Sequence, residues 1–116
     1  MSEPSISIRP LTGALGAEID GVDLGQMNDD AFSAIHRALL AHQVIVFHDQ
    51  DLSIEAQKAF ASRFGPLFVH PYLNALPDHP EVVEIVKQPG PQKNFGGSWH
   101  ADLTYLERPM LGAVLY

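Results

Sequence analysis

His100 and Asp102 stand two residues apart in the run Trp99-His100-Ala101-Asp102. In an extended segment, residues i and i+2 project from one face, so an imidazole nitrogen and a carboxylate oxygen are offered side by side. Those are two of the three donors of a 2-His-1-carboxylate triad, which holds Fe(II) on one face and leaves the opposite positions open. Gly96-Gly97 just upstream permits a sharp turn or a close approach of backbone to a ligand. Taken alone, the pair also fits a hydrogen-bonded surface contact, and Asp102 also fits a general base.

The elements that must position this pair read as mixed α and β. Ile6 and Ile8 alternate with polar neighbours as in a short strand, and Ala17 to Ile19 forms a second strand closed by the turn signal Asp20-Gly21. Asn28 is an N-cap, with Asp29 and Asp30 in the first turn, where the helix dipole favours negative charge. Ala31, Phe32, Ile35, Ala38 and Leu39 then form one apolar stripe ending near His42. Gln43 to Phe47 has the continuous apolar look of a buried strand. Ser53 caps a second helix with Ile54, Phe60, Ala61 and Phe64 on its buried side, and Gly65-Pro66 stops it. Residues 70–80 hold three prolines and read as a loop, as does the Gly/Pro-rich stretch 88–98. Glu81 to Lys87, Trp99 to Tyr105 and Met110 to Tyr116 read as strands. Trp99 and Tyr105 are expected to pack in the core around the pair. His36, His42, His48 and His79 read as structural or surface residues.

Composition narrows the function classes. A length of 116 residues leaves room for one domain at roughly 100–200 residues each. A net charge of −7 argues against non-specific nucleic-acid binding, which needs Lys and Arg to replace phosphate counterions. Without cysteine there is no disulfide, zinc finger or Fe–S cluster. Met1 to Pro10 lacks the basic region and apolar core of a secretory signal. No apolar run approaches the about 20 residues of a membrane helix. The expectation is a cytoplasmic protein with no membrane partner. The apolar end of the chain at Val114-Leu115-Tyr116 reads as a strand cut short within a larger protein.

The segment NFGGSWHADLTY over 94–105, with Pro109 and Gly112 to Tyr116 after it, resembles the TauD/TfdA family of Fe(II)- and 2-oxoglutarate-dependent dioxygenases. GALGAEIDGVDLG over 13–25, HQVIVFHDQ over 42–50, RFGP over 63–66 and His70-Pro71 agree with the family in order and approximate spacing. The resemblance implies an α+β fold, a double-stranded β-helix (jelly roll) with outer helices, incomplete here. Residues 1–116 would be the N-terminal portion of a single domain. It implies His100 and Asp102 as ligands of Fe(II), His70 as a substrate contact, and 2-oxoglutarate as co-substrate. The implied reaction couples decarboxylation of 2-oxoglutarate by O₂ to hydroxylation of a small organic acid such as taurine or a related sulfonate. It releases succinate and CO₂. The family's third ligand, a distal His, and its 2-oxoglutarate Arg lie further downstream, so the chain is expected to be inactive alone. Homo-oligomers are usual in the family. Two local departures stand out: the family's His-Pro-x-Tyr is here His70-Pro71-Tyr72-Leu73, and Gly96 replaces a taurine-type asparagine. The competing reading is a non-catalytic truncated relative serving as a binding or oligomerisation module.

Overall fold

A computed structural model describes residues 5–116; residues 1–4, the start of the N-terminal stretch read above, lie outside the described residues. The chain divides into two units, Met1–Phe64 with Tyr116, and Gly65–Leu115.

The first unit is built on a three-stranded sheet in the order β1-β2-β3, where β1 is Ser7–Pro10, β2 is Ala17–Asp20 and β3 is Ile45–Val46. Strand β2 pairs antiparallel with β1, from Ser7↔Asp20 to Pro10↔Ala17. On its other side it pairs parallel with β3, Ala17 opposite Ile45. A parallel neighbour needs a crossover, and helix α1 (Asp29–His42) supplies it. Alternation along β2 sends Ala17 and Ile19 inward, 0% and 1% exposed, and Glu18 and Asp20 outward. Gly21, at φ +83°, follows the strand where an added Cβ would sit 2.6 Å from the Ser5 carbonyl oxygen, so no side chain fits there.

Both helix starts follow the capping expectation. The Asn28 side chain accepts the Ala31 N–H at 2.8 Å, and Ser53 Oγ accepts the Ala56 N–H at 3.1 Å, opening α2 (Ile54–Ser62). Helix α1 closes on Gln43, whose N–H donates to the Leu39 carbonyl at 2.8 Å and whose positive φ (64°) then turns the chain out of the helix. That turn consumes the start of the expected 43–47 strand, and only Ile45 and Val46 pair.

The apolar faces of the helices and β2 form the core, with Ile35, Ala38 and Phe60 buried. Phe60 meets Phe47 and Phe64 edge-on, with centroids 5.9 and 5.3 Å apart, and Phe64 meets Phe32 at 5.0 Å. Arg63 lies over the Phe32 ring at 4.6 Å and reaches Asp29 at 2.5 Å, so the end of α2 is tied to the start of α1. The Gln50 side chain joins two loops: it accepts the Leu24 N–H at 2.9 Å and donates to the Val22 carbonyl at 3.0 Å. The Tyr116 hydroxyl donates to the Gln50 carbonyl and accepts the Leu52 N–H, both at 3.2 Å.

The second unit corrects the expectation of strands. Among its described residues there is one isolated bridge, Leu76↔His79, in the proline-rich loop. Residues 81–87, 99–105 and 110–116 are not strands. Each has strand-like composition, but a strand exists only within a ladder of paired N–H and C=O groups, and the backbone bonds of Val82, to Leu76 and His79, close a turn instead. In 99–105 Leu103 also adopts φ 52°, and its carbonyl accepts the Leu106 N–H at 3.2 Å, turning the chain. The second sheet of a jelly roll is therefore not formed among the described residues. Trp99 and Tyr105, expected in the core, are 104% and 70% exposed.

Glu18 accepts from Arg9 and sits 2.5 Å from His48 Nε2. The hydrogen bond from Arg9, then that from His48, holds its carboxyl below the ordinary glutamate range. A carboxyl lowered on folding contributes stability above its unfolded pKa and loses it as pH falls through the lowered value. Urea unfolding followed by far-UV circular dichroism should show the chain weakening below about pH 4.3, with a shallower acid limb in Glu18→Gln. In the same assay Ile35→Ala should cost about 2–5 kcal/mol, because Ile35 is fully enclosed and leaves a cavity.

Candidate metal centre

The second unit brings His100 and Asp102 together without a strand: His100 Nε2 lies 3.3 Å from Asp102 Oδ1. Both are open to solvent, with side-chain exposures of 51% and 69%, so a ligand has free access. His100 Nδ1 lies 2.7 Å from the Ser98 carbonyl oxygen. A carbonyl only accepts, so Nδ1 carries a proton and donates it. In the neutral ring Nε2 is then left as a lone pair. That lone pair lies 3.3 Å from a carboxylate oxygen, itself a lone-pair acceptor. Two acceptors at this separation repel unless a cation, a proton or a metal ion, lies between them.

The donor set fits one face of an Fe(II) site. Two donors about 2.1 Å from a first-row metal, at a right angle, lie about 3 Å apart. A backbone carbonyl on the far ring nitrogen is the usual outer-shell partner of a ligating histidine. A third donor is not in place: among the described residues no cluster of three or more His, Cys, Asp or Glu side chains could hold a metal.

His70 is half-buried, and its Nδ1 accepts the N–H groups of Tyr72 and Leu73, both at 3.1 Å. The ring thus closes its own turn, and Nε2–H is left as its remaining donor. Tyr72 stands edge-on to it at 6.1 Å. Desolvation of the largely exposed Tyr105 hydroxyl first, and Tyr72 second, raise it above the ordinary phenol range. The remaining four histidines have structural places: His36 stacks on Phe32, His48 meets Glu18, His42 ends α1, and His79 bridges to Leu76.

The Ser98 carbonyl was invisible to motif reasoning, because every residue carries a carbonyl. The Glu18–His48 contact joins residues thirty apart, and no spacing rule announces it.

Residues 7–116 match the family described as taurine catabolism dioxygenase TauD, TfdA. The chain belongs to the TauD/TfdA family. It is 36% identical to an (S)-phenoxypropionate/alpha-ketoglutarate-dioxygenase of Sphingobium herbicidovorans, over 96% of this chain and 40% of that protein. It is 34% identical to an alpha-ketoglutarate-dependent sulfate ester dioxygenase of Pseudomonas putida, over 95% of this chain and 36% of that one. Among solved structures it is similar to a putative alpha-ketoglutarate-dependent taurine dioxygenase from Burkholderia xenovorans. That similarity has a TM-score of 0.63 and 38% identity, covering 73% of this chain and 32% of the other. AAD-2, solved with Mn(II) and N-oxalylglycine, aligns with a TM-score of 0.52 and 35% identity, over 53% of this chain and 25% of that one. The chain thus spans about two fifths or less of the length of these curated relatives. The TauD/TfdA relatives are 2-oxoglutarate-dependent dioxygenases, and the family as a whole depends on Fe(II) and 2-oxoglutarate.

The His70 geometry carries its own test. Replacing His70 by Ala should raise hydrogen exchange at the Tyr72 and Leu73 amides by about tenfold, the worth of roughly 1.4 kcal/mol of hydrogen bonding. His70→Asn, which keeps an acceptor near the Nδ1 position, should recover part of the protection.

Proposed function

We propose that this chain carries the first two iron ligands, His100 and Asp102, of an Fe(II)/2-oxoglutarate-dependent dioxygenase that hydroxylates a small organic acid. The observation that carries the reading is the pairing of an Nδ1-bonded imidazole with a carboxylate at 3.3 Å, which puts two metal-donor atoms side by side. The bound iron would supply O₂ activation coupled to decarboxylation of 2-oxoglutarate. The chain's own contribution is orientation. The Ser98 carbonyl sets the His100 tautomer, and Asp102 adds the negative charge that favours a divalent cation.

The substrate class follows the relatives' chemistry: a sulfonate such as taurine, a sulfate ester or an aryloxy acid. His70 would offer its Nε2–H to the anionic group, since its Nδ1 is already used by backbone. Residues 1–116 would form the N-terminal portion of one jelly-roll domain, acting as a homo-oligomer in the cytoplasm. The third ligand and the arginine for 2-oxoglutarate would come from sequence outside these 116 residues. No helix is long and apolar enough to cross a membrane among the described residues.

One observation favours a second reading, a non-catalytic binding module: the described residues hold no third donor. Anaerobic Fe(II) titration separates the two. The dioxygenase reading expects weak binding that His100→Ala and Asp102→Ala each reduce by at least tenfold. Equal binding by the parent chain and both variants contradicts it and favours the module.

A further inference from the structure

We infer that Gly96 is a positioning residue acting through His100: its missing side chain leaves the room in which the Ser98 carbonyl holds the imidazole with Nε2 open to a metal ion. The inference rests on the reading of His100 as a ligand and specifies how this chain prepares it.

Gly97 N–H donates to the Asn94 carbonyl at 3.1 Å, closing a tight turn. An added Cβ at Gly97 would lie 3.2 Å from that carbonyl oxygen and 3.3 Å from Asn94 Cβ, so the turn has no spare room. The turn sets Gly96 at φ +68°, a conformation disfavoured for side-chain-bearing residues. It also presents the bare Cα of Gly96 to the His100 ring. A Cβ there would stand 3.3 Å from His100 Cε1 and 3.8 Å from Nε2. The ring is therefore held at Nδ1 by the Ser98 carbonyl at 2.7 Å, and the space left by the missing Cβ of Gly96 accommodates its Cε1 edge.

The bond and the open space act together. Flipping the ring by half a turn replaces Nδ1 with a carbon and loses the bond to Ser98. Pushing Cε1 away from position 96 tilts the ring about its Cβ–Cγ bond and draws Nδ1 off the carbonyl. With half of the His100 side chain in solvent, few other contacts resist such a tilt. Gly90 provides the contrast. It also has positive φ (+125°), but an added Cβ there meets nothing within 4 Å.

The test uses the 116-residue chain with ¹⁵N-labelled histidine. Long-range ¹H–¹⁵N correlation reads the His100 tautomer, and Mn(II) titration is followed by paramagnetic broadening of the Ala101 and Asp102 amides. The parent chain should show the Nδ1–H form. Gly96→Ala should mix the tautomers and need about tenfold more Mn(II), the scale of losing an outer-shell partner. Gly96→Asn, which tolerates positive φ but still carries a Cβ, should weaken binding similarly. Gly90→Ala should titrate as the parent.

A parent His100 protonated on Nε2 overturns the inference without any variant. So does Gly96→Ala with the parent's tautomer and Mn(II) response. Parent-like binding by Gly96→Asn alone shows that backbone strain, not the ring contact, is at work, and also overturns it. If His100→Ala still broadens like the parent, the ligand reading itself has failed. If His100→Ala loses binding while Gly96→Ala keeps it, only the inference has failed.

Discussion

A strand cannot exist by itself, because each extended residue presents an N–H and a C=O that need a partner. This constraint sorts the whole chain. Strand β2 is paired on both sides, antiparallel to β1 and parallel to β3, and its Ala17 and Ile19 are the most enclosed strand residues. Around it α1, α2 and the phenylalanine cluster have a surface to pack on. From Gly65 onward the chain has equally apolar segments, yet no ladder forms, and Ile85, Val86 and Leu111 stay exposed.

The same constraint explains which parts of the fold the sequence reveals. Local signals were sufficient for both helices. Asn28 and Ser53 bind the amides that a cap must bind, and the stripe through Ile35 and Ala38 is the buried one. Strands β1 and β2 were equally legible from alternation and the Asp20-Gly21 turn. Strand composition in 81–87, 99–105 and 110–116 was misleading, because β propensity records a side chain's fit to a sheet and says nothing of whether a neighbour is present. Gln43 shortened β3 for a different reason: its positive φ turns the chain out of the helix.

The proximity of His100 and Asp102 was legible in residue types and spacing, but not the geometry that supports it. His100 and Asp102 converge although Leu103 turns the chain immediately afterwards and no strand aligns them. What aligns them is local: the Ser98 carbonyl two residues upstream of the histidine and the compact turn over 94–97. Backbone carbonyls and turn dihedrals leave no distinctive letter in a sequence. His70 shows the complement, since its Nδ1 is spent on its own turn, which leaves a single remaining donor.

The proposed iron site at His100 and Asp102 rests on membership of the TauD/TfdA family and on the proximity of this pair. Anomalous diffraction at the iron edge, from crystals of the protein grown anaerobically with Fe(II), addresses that claim directly. The account predicts one strong anomalous peak within bonding distance of both His100 Nε2 and Asp102. Iron bound elsewhere, with these two side chains unliganded, would contradict it.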